Sequence, residues 1–171
     1  MKPTRALALA VAAASIGLAL VARGDAPPDQ YAIFQAQTPT ITDTHAKLEW
    51  ERFPEGNLLA GDAGADGGMW APAQDWTNAT TRCASLGMGW RLPTVKELLT
   101  LIDEEPHRIY VDGATPYLYI DRNAFPTARP ERYWTSSVHK LEAWTVNFGN
   151  GQPETDTTDT KHSQRCVRVS P

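Results

Sequence analysis

Cys83 and Cys166 are the only cysteines in this 171-residue chain, and they bound what sulfur can do here. Two thiols suffice for a disulfide but supply only part of a zinc site. The other chemistry-bearing residues are scattered. His45, His107, His139 and His162 lack the mutual spacing of zinc ligands. Ser136-Ser137 with His139 lacks the strained elbow and the partnered acid that activate a serine nucleophile. Asp62 and Asp66, in the glycine-rich stretch 56–68, offer too few oxygens for calcium. No glycine-rich phosphate loop is present. The expectation is no catalytic residue, no metal and no cofactor.

Compartment decides what the two cysteines do. Lys2 and Arg5 precede an apolar run from Ala6 to Ala22 rich in Ala, Leu and Val, the pattern of a secretory signal. That run is short of the about 20 apolar residues a bilayer span needs. Residues 1–22 are therefore expected to be a cleaved signal, with no membrane span afterwards and an exported product, periplasmic or extracellular. In an oxidising compartment two cysteines favour a structural bridge. Closing the long Cys83–Cys166 loop would contribute about 4 kcal/mol in the chain-entropy model. The chain carries 16 basic and 20 acidic residues, and loss of Lys2 and Arg5 leaves 14 against 20, or −6. Such an acidic exported domain is a poor partner for nucleic acid.

The elements that must position these residues read as follows. Residues 23–43, rich in Pro, Asp, Gln and Thr, suggest a flexible arm beginning with Arg23-Gly24-Asp25, an integrin-type tripeptide without supporting context. Residues 44–171 make one domain. Ala46, Leu48 and Trp50 alternate with Lys47, Glu49 and Glu51, the period of a half-buried strand. Trp76, Ala79, Cys83 and Leu86 form one apolar stripe of a helix with Asp75 as N-cap and Gly87 past its end. Thr94 and Glu97 make a capping box for a second helix whose buried face is Leu98, Leu99, Leu101 and Ile102. Prolines interrupt residues 107–132, which read as irregular structure carrying Tyr110, Tyr117, Tyr119 and Phe125. Tyr133 to Ser137 and Trp144 to Phe148 read as strands, with Gly149-Asn150-Gly151 as the turn out. A polar loop, 152–163, leads to a last strand, Gln164 to Val169. The order is α+β.

The ordered strings Gly89-Trp90-Arg91-Leu92-Pro93-Thr94, Tyr133-Trp134-Thr135-Ser136-Ser137, Val146-Asn147-Phe148-Gly149-Asn150-Gly151 and Arg165-Cys166-Val167-Arg168 resemble a bacterial domain family. It is named for the C-terminal domain of the Legionella collagen-like adhesin, and the likeness spans about Thr44 to Val169. The resemblance implies a C-type-lectin-like fold: two helices on a small, twisted, mainly antiparallel sheet, with long loops that carry whatever binds. The family is associated with sulfated polysaccharides and with trimers behind a collagen-like stalk. This chain has no Gly-X-Y tract, and its negative charge disfavours sulfated ligands. The Trp-Arg-Leu-Pro-Thr string is also similar to formylglycine-generating and sulfatase-modifying oxidases. Those enzymes need redox-active thiols, and Asp156, Lys161 and His162 stand upstream of Arg165 with no cysteine. Gln152-Pro153-Glu154 is similar to the Gln-Pro-Asp of calcium-dependent galactose lectins, without the companion Trp-Asn-Asp.

These readings lead to an exported, non-enzymatic binding or adhesion module whose ligand is a glycan or an envelope or host surface partner. The alternatives are a diverged enzyme related to the oxidases and a structural subunit of an envelope assembly. Tyr117, Tyr119, Arg122, Arg132, His139 and Lys140 are the expected ligand surface, since aromatic rings beside cations mark recognition. Trp76, Trp90, Arg91, Pro93, Thr94, Glu97 and Trp134 are expected to be scaffold, with Arg91 satisfying carbonyls or a carboxylate in the core.

Overall fold

A computed structural model describes residues 26–27, 29–34, 39–54, 73–111 and 113–171. The signal segment 1–22, Arg23-Gly24-Asp25 and the 56–68 loop with Asp62 and Asp66 lie outside the described residues. The architecture is α+β. Strands β1 (Tyr31–Phe34), β2 (Thr40–Asp43), β3 (Leu48–Glu51) and β9 (Val167–Val169) form one antiparallel sheet in the order β1-β2-β3-β9. Strands β4 (His107–Arg108) and β5 (Tyr117–Leu118) pair as a ribbon, and β6 (Arg132–His139), β7 (Glu142–Asn147) and β8 (Gln152–Thr157) form an antiparallel meander. The helices α1 (Trp76–Ser85) and α2 (Val95–Leu99) both pack against β6, and α2 also packs against β7.

Both helices start where their caps place them. Asp75 accepts from the Asn78 amide at the head of α1. Thr94 and Glu97 satisfy each other's backbone amides at the head of α2. The second helix is shorter than its apolar face: it ends at Leu99 with Thr100 as cap, and the buried Leu101 sits on the following turn.

The structure departs from the sequence expectation in four places. The arm expected over 23–43 contributes two strands, β1 and β2, which pair antiparallel from Tyr31↔Asp43 to Phe34↔Thr40. Tyr31 sets its ring edge-on to the buried Phe125, 5.4 Å between centroids, which gives this polar stretch an apolar anchor. The half-buried strand expected over Ala46 to Glu51 is shorter and more buried than its alternation suggests: Ala46 and Lys47 lie in the exposed turn before it, and Leu48–Glu51 is buried throughout, between β2 and β9. Residues 152–157 form strand β8 rather than loop, an edge strand polar enough to face water. The last strand is confined to Val167–Val169, since Gln164, Arg165 and Cys166 are drawn into the interior.

Among the described residues, two apolar clusters make the core. The larger runs from Ile41 and Trp50 through Leu98, Leu118, Ile120 and Phe125 to Tyr133, Val146 and Phe148. The smaller gathers Ala79, Leu92, Trp134 and Ala143 around the disulfide between Cys83 and Cys166, which ties α1 to the approach of β9. Full burial of β3 puts two carboxylates inside, and each has its own arginine. Glu51 is gripped by both terminal nitrogens of Arg82, which also lies against Cys166 Sγ, and Glu49 accepts from Arg168 Nε at 2.7 Å. Arg165 is completely buried; it donates to the carbonyls of Glu51 and Arg52 and lies 4.7 Å over the Phe125 ring.

Candidate functional site

The β4–β5 ribbon supplies the surface with the clearest recognition chemistry. Its register sets His107 opposite Leu118 and Arg108 opposite Tyr117. The ribbon continues through the Ile109 amide to the Pro116 carbonyl and through paired bonds between Val111 and Ala114. Side chains alternate across it. Ile109 and Leu118 are buried in the larger core cluster, so Arg108, Tyr110 and Tyr117 face outward. Tyr110 is 63% exposed and Tyr117 44%. The Arg108 guanidinium lies 4.8 Å over the Tyr117 ring and donates to its hydroxyl at 2.9 Å. That contact holds a cation and an aromatic face side by side with little freedom left to lose on binding.

Tyr119 belongs to the same strip but has a different task. Its amide donates to the Phe148 carbonyl and its carbonyl accepts from the Asp103 amide. Its ring lies so close to Gly151 that a Cβ there would stand 3.3 Å from Cδ1. It fastens the ribbon to the β7–β8 turn and is half-buried.

Beside the ribbon is a cleft of about 280 Å³ lined by Gln30, Tyr31, Ile102, Asp103, Glu104 and Asp121 among others. Asp103 caps the Glu105 amide and lies 3.5 Å from His107 Nε2, while Asp121 caps the Asn123 and Ala124 amides. Burial pushes the Tyr31 hydroxyl well above the usual tyrosine range, and Asp43, Asp121 and Asp103 push it further. The cleft is thus a negative region next to a ribbon carrying one cation.

The remaining expected ligand residues are not gathered here. Arg122 is exposed on the turn after Asp121. Arg132 is paired with Glu154 and, at 3.1 Å, with Asp156, so its charge is already balanced. His139 and Lys140 are exposed at the β6–β7 turn, where Lys140 takes a left-handed φ of 59°. That turn and the Gly149–Gly151 turn lie at opposite ends of β7, about 20 Å apart for a strand of this length. Arg108 was missing from the expected set. Only the pairing register places it against Tyr117, and neither residue's neighbours in sequence announce that.

The expected scaffold residues take structural contacts. Trp76 Nε1 donates to the Thr135 carbonyl and Trp134 Nε1 to the Gln74 carbonyl. The Pro93 carbonyl accepts from Ser136. Trp90 lies under Arg168, 4.9 Å from guanidinium to ring centre. Arg91 departs from its expected place: it pairs with Glu97 through two nitrogens but is 41% exposed, and among the described residues the buried arginines are Arg82 and Arg165. His162 Nε2 lies 2.9 Å from Asp156 Oδ2, and its ring packs edge-on to Trp134. Its backbone exchanges hydrogen bonds with Gln74, closing the strand region over the entry to α1.

Among the described residues no group of three or more His, Cys, Asp or Glu side chains is arranged to hold a metal ion, and no helix is long and apolar enough to cross a membrane. No curated protein matches the chain. A family model does, over residues 39–168, a span that takes in both cysteines, both helices and the ribbon but starts after β1. The chain belongs to the family of the Lcl C-terminal domain.

Proposed function

We propose that this chain is an exported binding and adhesion module with a C-type-lectin-like scaffold and no chemistry of its own. It engages a glycan or an envelope or host surface partner through the outer face of the β4–β5 ribbon. The observation that carries the reading is the exposed pair Tyr110 and Tyr117 beside Arg108, on a domain whose family is that of an adhesin. A sugar's C–H face stacks on a tyrosine ring, and a guanidinium alongside donates to its hydroxyls. The acidic cleft beside the ribbon selects against strongly anionic ligands.

The test is a glycan array spanning neutral and acidic sugars, run with a pulldown from surface extracts, for the wild type, Tyr117→Ala and Arg108→Gln. Each substitution is expected to weaken binding about tenfold, the loss of one stacking or cation contact, without moving the urea midpoint. Binding untouched by both substitutions but lost in Lys140→Ser would transfer the site to the β6–β7 turn. An empty array together with an empty pulldown would remove the binding function. Export is checked separately by the mass of the secreted chain, which should lack residues 1–22.

A further inference from the structure

The segment that follows α1 carries a feature the binding reading does not use. Gly87, Met88 and Gly89 all have left-handed φ values, 68°, 51° and 81°. Glycine adopts that conformation freely; a methionine does so against the clash of its Cβ. The turn displays Met88 at 83% exposure. Its Sδ lies 3.9 Å from Nη1 of Arg168. Arg168 is held from two other sides, by the bond from its Nε to Glu49 and by the Trp90 ring beneath it. A thioether is a weak acceptor for a guanidinium, whereas a sulfoxide oxygen is a polar and much stronger one.

We propose that Met88 is an oxidation site whose sulfoxide is received by Arg168. The oxidant is a peroxide. A lone pair on Sδ attacks one peroxide oxygen, the S–O bond forms as the O–O bond breaks, and the departing hydroxide takes up the remaining proton and leaves as water. Sulfur is oxidised by two electrons and the peroxide is reduced by two. The new oxygen then accepts from Nη1–H of Arg168 while Nε stays on Glu49. One charge-assisted hydrogen bond then ties the 87–89 turn to β9, and a sulfoxide reductase reverses it.

The experiment treats the folded, full-length protein with hydrogen peroxide. Peptide mass mapping locates the added oxygen, with Met69 as a comparator in the same chain, and amide hydrogen exchange follows residues 87–90. Met88 is expected to take up one oxygen with the fold intact, and exchange over 87–90 to slow about threefold, the size of one charge-assisted bond at an exposed position. Met88→Leu should show no such slowing under the same treatment. Arg168→Lys keeps a cation for Glu49 but cannot serve Glu49 and the sulfoxide from two separate nitrogens, so it should take up the oxygen without the slowing. The proposal is overturned by a Met88 that stays unmodified while Met69 oxidises. Exchange unchanged or faster in the oxidised wild type, or equal slowing in Arg168→Lys, overturns it too. Should Arg168→Lys fail to fold, the comparison of oxidised wild type with treated Met88→Leu still decides.

Discussion

The pair Arg82–Glu51 offers the sharpest test of how this core is held together. Its side chains are 7% and 6% exposed, and both terminal guanidinium nitrogens reach the carboxylate. Removing one partner of a buried pair leaves an uncompensated charge and costs about 3–5 kcal/mol, while replacing both by apolar residues can be close to neutral. The two single substitutions should differ because a second buried guanidinium stands nearby. Burial lowers Arg165's hold on its proton, the charge on Glu51 supports it, and Arg82 opposes it. Glu51→Gln therefore removes the one negative charge that both buried guanidiniums feel, and Arg82→Met leaves one carboxylate with a cation still close by. The expected costs are about 5 kcal/mol for Glu51→Gln, about 3 for Arg82→Met and about 1 for Arg82→Met/Glu51→Leu. Urea unfolding of the oxidised protein, with a double-mutant cycle, measures all three. Against a domain stability of about 5–15 kcal/mol the first is a large fraction. If Arg82→Met proves the costlier, or both singles cost under about 1 kcal/mol, the account of the buried charges is wrong.

Further outcomes follow from single contacts. Thr94→Ala should lower stability by about 1 kcal/mol through loss of the α2 cap, read as a shift in the urea midpoint without change in slope. Cys83→Ala/Cys166→Ala, which removes the crosslink between residues 83 apart in sequence, should cost about 4 kcal/mol by the same assay. Gly149→Ala should cost about 1–3 kcal/mol, because a Cβ there would stand 2.8 Å from the Pro130 carbonyl oxygen. The Arg91 hydrogen bonds hold the Glu97 carboxyl below the ordinary glutamate range, against opposing burial and with help from the Thr94 amide. Its contribution is present in full above the unfolded value of about 4.3 and is lost as pH falls through the lower folded one. The gap in urea midpoint between wild type and Glu97→Gln should thus hold steady from pH 7 to 5 and narrow progressively as the pH falls below the unfolded value of about 4.3; a gap that is the same at pH 2 as at pH 6, or that widens on acidification, would contradict the pairing.

The parts legible in the sequence were those whose signals are local. Asp75, Thr94 and Glu97 mark helix starts because a cap is a matter of three or four residues. The β6 and β7 strands and their exit turn show alternation and glycine spacing within one hairpin. What stayed hidden depends on partners far along the chain. Nothing near Glu49 and Glu51 says that Arg168 and Arg82 will neutralise them, so a fully buried strand reads as half-buried. Tyr31 gains its anchor from Phe125, and a strand passes for an arm. Gln152 to Thr157 is too polar for a core strand, yet an edge strand needs only one ordered neighbour, and β7 provides it. In the candidate site, aromatic content pointed to Tyr117, while Arg108 and the separation of His139 and Lys140 from it required the register of two ribbons.

That geometry also separates stability from display. The disulfide, the Arg82–Glu51 pair and the smaller core cluster hold α1 to β3 and to the approach of β9. The ribbon is rooted instead in the larger cluster through Ile109 and Leu118, and it turns Arg108, Tyr110 and Tyr117 away from it. Truncating an outward side chain leaves the inward anchors in place, so under the proposed function binding should fall with the fold intact. Truncating Leu118 has the opposite character: it opens the core beneath Tyr117, costs about 2–5 kcal/mol as a Leu→Ala cavity, and loosens the surface it supports. The outer face of this ribbon can therefore change without rebuilding the domain, so long as Ile109 and Leu118 keep its inner face apolar.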